Sequence, residues 1–193
     1  MPKIFTEAEK DRHREVLFDK GFRLISERGY KNVKVDQLVE LIEASKGYFY
    51  TLFDSKEEYF LGAIAWQMER EYDRLKEAKD AGASDEEVRI LYREIFLESR
   101  FSNYIDMIEI REKAGEELWE RFRTFELRFF EKVTALLCRG RRKPDPKVLS
   151  NLSAMIFLSY GMLSYAPYLF KERNRETVEI LLDTMHRYAI GEK

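Results

Sequence analysis

Apolar residues recur along this chain at the i, i+3, i+4, i+7 spacing of a helix, and no segment sustains the strict alternation of a half-buried strand. That property restricts the fold to packed helices. Punctuation is correspondingly sparse, with 9 Gly and 4 Pro in 193 residues. A hydrophobic share of 45% is enough to build a substantial core, either as one large domain or as a small domain attached to a larger one.

Thr6-Glu7-Ala8-Glu9 has the form of a capping box and opens a first helix. Leu17, Phe18, Gly21, Leu24 and Ile25 keep one apolar face along it until Gly29-Tyr30. Val35, Leu38, Val39 and Ile42 predict a second helix of about two turns, and Ser45 can cap a third with Phe49 and Phe53 on one face. Ser55-Lys56-Glu57-Glu58 is a second capping box, opening a long helix that carries Phe60, Ile64, Met68, Tyr72 and Leu75. Ala81-Gly82-Ala83-Ser84 breaks it. Further helices are expected over about 85–100, 103–110, 113–139, 145–169 and 175–189. The expected organisation is all-α: a three-helix head over residues 1–54 and a larger helical domain over 55–193.

Charge and cysteine usage narrow the setting. The net charge of −2 gives no global pull toward polyanions, so a nucleic-acid role must rest on locally placed charges. Cys138, the single cysteine, rules out an internal disulfide and fits a reducing cytoplasm. Lys3, Glu7, Glu9 and Lys10 interrupt the N-terminus before an apolar leader could form. The uncharged stretch from Val148 to Phe170 is long enough to span a bilayer, yet Asn151 and Ser150, Ser153, Ser159 and Ser164 recur in it. It is expected to be a helix buried among helices, with no membrane partner.

The short connection Glu43-Ala44 between the second and third helices is the arrangement that presents a second helix to a DNA major groove. Phe49 and Phe53 face inward on a helical wheel and leave Lys46, Tyr48, Tyr50 and Thr51 nearer the outside. Gly47 permits close backbone approach, while Ser45 and Lys46 put amides and a charge where a phosphate would lie. Taken alone, this pattern equally describes ordinary surface tyrosines on a short helix.

The run GYKNVKVDQLVELIEASKGYFYTLFDSKEEYF resembles the helix-turn-helix signature of the tetracycline-repressor (TetR) family. Gly29-Tyr30, Val35/Leu38/Val39, Ser45-Lys46-Gly47, Phe49-Tyr50, Phe53 and Ser55-Lys56-Glu57 carry the match, over about residues 10–65. Two positions depart from the pattern. Glu43 stands where the family usually has Gly, so the turn either takes a left-handed conformation or changes geometry. Val33-Lys34 stands where a Thr or Ser often opens the second helix, and Lys34 could supply a charge-assisted phosphate contact instead. The resemblance implies Lys46, Tyr48 and Thr51 near base edges, and Arg14, Ser45, Tyr50 and Lys56 near phosphates.

Enzyme readings fail on missing parts. Of two histidines only His186 lies in a carboxylate-x-x-His pattern, with Asp183, whereas a di-iron bundle needs two Glu-x-x-His motifs; a surface pair is the expectation. There is no P-loop, dinucleotide fingerprint or nucleophile elbow, so no catalytic residue, metal or cofactor is assigned. Cys138 reads as a small apolar residue at a helix end, and Arg139 to Lys143 as a solvated cluster. The body's large side chains, among them Tyr92, Phe96, Tyr104, Met107, Trp119, Phe122, Phe125, Met155 and Tyr160, suit a core and could jointly line a ligand cavity. No cluster of buried charge is evident, which favours an apolar or weakly polar effector.

The sequence therefore predicts a cytoplasmic homodimeric regulator that binds a near-palindromic operator in double-stranded DNA and, as the resemblance implies, a repressor released by a small-molecule effector. The alternative is a helical small-molecule binding or adaptor protein without DNA affinity. Val178, Leu181, Leu182 and Met185 fall on one stripe and, with Leu152, Ile156 and Leu163, form the expected dimer interface. The helix opened by Ser55 is the one long element expected to belong to both parts.

Overall fold

The computed structural model describes residues 5–98, 104–140, 143–162 and 170–192. Among them all regular structure is helical: α1 (Glu7–Val16), α2 (Phe22–Arg28), α3 (Val35–Glu40), α4 (Lys46–Leu52), α5 (Lys56–Asp80), α6 (Asp85–Glu98), α7 (Tyr104–Leu137), α8 (Pro146–Met162) and α9 (Asn174–Ala189).

The helix starts follow the capping chemistry. At α1 the Thr6 amide donates to Glu9 Oε2 at 2.8 Å and the Glu9 amide to Thr6 Oγ1 at 3.3 Å, a complete capping box. At α5 the Glu58 amide donates to Ser55 Oγ at 2.9 Å, but the Glu58 carboxylate reaches past Ser55 to the Asp54 amide, at 2.6 Å. Ser84 and Glu87 complete a reciprocal box before α6, at 2.8 and 3.3 Å. Lys34 precedes α3 without a hydroxyl, and the Gln37 side chain takes the Lys34 amide instead, at 2.8 Å.

Three expectations are corrected. The first helix is not regular, because a π turn over Leu17–Gly21 separates α1 from α2. The break expected between helices over 103–110 and 113–139 falls instead at Gly115, whose φ of 72° and ψ of 163° are not helical, so α7 is two helical segments joined at a kink. The second helix stops at Glu40, since Glu43 adopts the left-handed region at φ 51°, the first of the two geometries open to the departure from Gly.

Two apolar clusters hold the molecule together. One joins Leu17, Leu38 and Phe49 of the head to Tyr59, Leu61 and Ile64 of α5 and to Ile110 of α7. The other packs Leu75, Tyr92, Phe130, Leu149, Ile156, Leu182 and Met185 between α5, α6, α7, α8 and α9. α5 contributes to both, and Met68 packs against each. Lys31 Nζ to Glu109 Oε2 at 3.0 Å and Arg121 Nη2 to Glu58 Oε1 at 3.2 Å tie α7 to the head and to the start of α5. Within Val148 to Phe170, Leu149, Ser150, Ser153 and Ile156 are buried while Asn151 and Met155 are exposed, as in a helix packed on one side. No helix of the described residues is long and apolar enough to cross a membrane.

Candidate nucleic-acid interface and ligand cavity

α4 is short and held from below. Phe49 is fully buried, with its ring 5.2 Å from Phe53 and 5.6 Å from Tyr59, so the opposite face of α4 points outward. Ser45 caps it, accepting from the Tyr48 amide at 3.3 Å. Ser45, Lys46, Gly47 and Thr51 are exposed, and Tyr50 is 47% exposed. Lys46 Nζ lies 3.6 Å from Asp36, an exposed pair that is readily exchanged for another anion. Thr51 Oγ1 donates to the Tyr48 carbonyl at 2.7 Å, which leaves its methyl and an oxygen lone pair available.

Tyr48 and Lys56 are held differently from the other expected contacts. The Tyr48 hydroxyl shares a 2.9 Å hydrogen bond with Nδ1 of His13, and its ring sits 4.2 Å from that of Phe5. This partial burial pushes the phenol pKa up. Lys56 turns back onto the head: it donates to the Tyr30 carbonyl and stands 3.8 Å over the Tyr30 ring, whose hydroxyl donates to Glu57. Arg14 pairs with Asp11 at 2.8 Å on the helix that carries His13, and Lys34 is exposed. His13 and Phe5 were not foreseen, because their contact with Tyr48 spans 35 residues and more of sequence.

The body encloses a cavity of about 530 Å³, walled by α2, α5, α6, α7 and α8. Of the expected residues, Tyr92, Met107, Trp119 and Phe122 line it. Met155 does not; it is 54% exposed, on the side of α8 turned away from buried Ile156. Phe125 packs between the two apolar clusters and is likewise outside the lining. The side chains of Phe96, Tyr104 and Tyr160 lie outside the described residues. Two features of the wall are unexpected. Phe22, Ile25 and Ser26 of the head form part of it, so the cavity touches the DNA-reading unit directly. Charge is also present: Glu71, Arg111, Glu112, Arg123 and Glu126 reach the lining, none of them fully buried and Glu112 exposed. Arg123 Nη1 donates to Glu126 Oε2 at 2.9 Å and approaches Ser150 Oγ at 3.4 Å.

The stripe expected to join two chains is largely internal. Ile156, Val178, Leu182 and Met185 are fully buried by their own chain, so no second copy could reach them. Leu152 and Leu181 are half-buried, and Leu163 lies outside the described residues. The outward edges of the same helices instead carry Val148 and Met155 on α8 and Ile180, 61% exposed, on α9. His186 is likewise buried, its ring 5.6 Å from Tyr92, which corrects its expected surface position, while its neighbour Asp183 pairs with Arg89 at 3.4 Å and Arg93 at 3.6 Å. Among the described residues no group of three or more His, Cys, Asp or Glu side chains is placed to hold a metal ion.

A helix-turn-helix head with a helical body behind it is an architecture that presents a short helix to a DNA major groove. Residues 17–63 match the family described as bacterial regulatory proteins, tetR family. The HTH-type transcriptional regulator YuxN of Bacillus subtilis (strain 168), named as uncharacterized, is 24% identical over 145 residues, 68% of this chain. The match covers 47% of YuxN, so the chain spans about half the length of that relative. In fold, the chain is similar to the fatty acid degradation regulator FadR from Bacillus halodurans, with a TM-score of 0.53 at 16% identity over 92% of this chain and 97% of that one. A TetR family protein from Vibrio parahaemolyticus, described as a putative transcriptional regulator, aligns over 89% of this chain and 97% of its own, with a TM-score of 0.49 and 18% identity.

Proposed function

We propose that the chain is a homodimeric repressor, released from a near-palindromic operator by a small molecule held in the body cavity. The observation that carries this reading is the double membership of the first two helices: α1 supports α4 through His13 and Tyr48, while α2 lines the cavity with Phe22, Ile25 and Ser26. A ligand in the cavity would therefore bear on the unit that positions α4, and also on α5, which runs through both apolar clusters. A coupling of ~1–3 kcal/mol is enough to change DNA affinity about 5–150-fold.

In this reading Lys46 and Thr51 face base edges, Ser45, Tyr50 and Lys34 face phosphates, and Arg14 joins them on exchanging Asp11 for the backbone. Tyr48 serves first to fix the α1 to α4 angle. Lys56 acts by holding the Tyr30 turn, with its charge felt by the backbone at longer range. A single short helix makes too few contacts for tight binding, so two heads about one duplex turn apart are needed. The pairing surface is then the outward edge of α8 and α9, centred on Met155, Ile180 and Leu181.

The test is binding to duplexes from the chain's own upstream region, measured against salt. Neutralisation of several phosphates gives a steep log–log slope, and Lys46→Ala should make it shallower by about one unit. A flat salt response would favour the reading as a ligand-binding adaptor. Ile180→Glu with Leu181→Glu should yield monomers by sedimentation, whereas a surviving dimer places the surface elsewhere.

A further inference from the structure

The cavity wall is aromatic, and the most deeply set of its charged groups are carboxylates. Its rings include Tyr72, Trp119, Phe122, Phe129 and Phe157, whose faces carry partial negative charge. Of the charged side chains that reach the lining, the carboxylates of Glu71 and Glu126 are the most deeply set, whereas the Arg111 and Arg123 guanidiniums keep 40% and 39% exposure and Glu112 is exposed.

The cationic partners are already engaged. Arg111 pairs with Glu116 at 2.8 Å and stacks over Trp119 at 5.4 Å, with its side chain 40% exposed. Arg123 is committed to Glu126 and Ser150. Glu71 accepts from Gln67 at 2.8 Å and from Arg74, a half-exposed residue outside the lining, at 2.7 Å. Glu71 and Glu126 retain only 16% and 17% side-chain exposure. Burial holds the Glu126 carboxyl above the ordinary carboxylate range in spite of its bonds from Ser150 and Arg123. One guanidinium, itself partly in solvent, does not fully compensate that ion.

Three kinds of occupant meet this wall differently. An anion would need Arg123, would displace its present partners, and would stand beside two carboxylates. A neutral apolar molecule would fill the space and leave Glu126 undercompensated in a drier site than before. A cation with an apolar body satisfies both the ring faces and the carboxylate. We infer that the cavity takes a lipophilic monocation, such as an alkyl or aryl ammonium, with its charge between Glu126 and the aromatic wall. This rests on the cavity being the effector site, and it names the effector's chemical class.

The experiment uses Trp119 as reporter, in the full chain with Trp66→Phe, and three probes of equal alkyl length: octyltrimethylammonium, octanol and octanoate. The expected result is that the ammonium binds at least about tenfold more tightly than the other two, the scale of a partly desolvated cation over aromatic faces beside a carboxylate. Glu126→Gln should remove most of that advantage, weakening the ammonium and not weakening octanol. Equal affinities, or preference for octanoate, overturn the inference while leaving the cavity as a ligand site. An ammonium preference that survives Glu126→Gln unaltered overturns the role of Glu126. If no probe changes Trp119 emission up to its solubility limit, the effector reading of the cavity fails as well. The comparison among probes on the unsubstituted lining does not depend on the Gln variant folding.

Discussion

The head and the body use the same kind of side chain to opposite ends. In the head, Phe49, Phe53 and Tyr59 interlock at centroid distances of 5.2 to 5.6 Å around Leu38 and Leu17, and the space between them is filled. In the body an equally aromatic set leaves about 530 Å³ open. The difference teaches that ring content alone does not say whether a region is built for rigidity or for occupancy. What separates the two is whether each ring has partners on both faces.

Truncation should expose that difference most strongly. Phe49→Ala removes a ring packed on every side and should destabilise by about 3–5 kcal/mol. Phe122→Ala, at the cavity wall, removes a ring with an open face and should cost at least about 1 kcal/mol less by denaturant titration. Equal losses would mean that the cavity wall is as closely supported as the head. Overpacking comes next. A methyl group on Gly21 would lie 2.3 Å from the Tyr59 hydroxyl, so Gly21→Ala should cost about 1–3 kcal/mol, whereas enlarging Ala154 at the cavity to Leu should be near neutral. A stability gain for Gly21→Ala would show that the head has slack. Removing the α5 cap by Ser55→Ala should cost about 1 kcal/mol, visible as a lower denaturation midpoint.

The smallest effect is a pH dependence confined to the body. Burial, and then the nearby Arg89, hold His186 below its ordinary value of 6.5. The unfolded chain therefore takes up the proton first on acidification, so the stability present above pH 6.5 is lost as pH falls toward the lowered value. His186→Gln should flatten the midpoint between pH 7.5 and 5.5. An unchanged slope would assign the dependence to other groups.

Much of the head was legible because each residue there has a single local task. Thr6, Ser45 and Ser55 are caps wherever a helix follows them, and Phe49 and Phe53 must point inward if Lys46 and Tyr50 point out. The body was less legible for a physical reason: periodicity identifies a stripe but not what covers it. Val178, Leu182 and Met185 make the same pattern whether their cover is a second chain or, as found, their own. Likewise the three-residue spacing of Arg123 and Glu126 says nothing of Ser150, which α8 places beside them. The contact of His13 with Tyr48 had no local signature at all.

The π turn sets a phase. Leu17–Gly21 accommodates one residue beyond the regular repeat, and the Tyr59 hydroxyl fixes it by donating to the Leu17 carbonyl at 2.7 Å. Each helical residue advances the azimuth by about 100°. Deleting one residue from this turn would therefore rotate everything before it by roughly that angle relative to α2. His13 would swing off Tyr48 and Arg14 away from the α4 face, while Phe22, Ile25 and Ser26 kept their places in the cavity wall. The turn is thus an angular offset between the half of the first helix that meets α4 and the half that lines the cavity, written into the chain as a single extra residue.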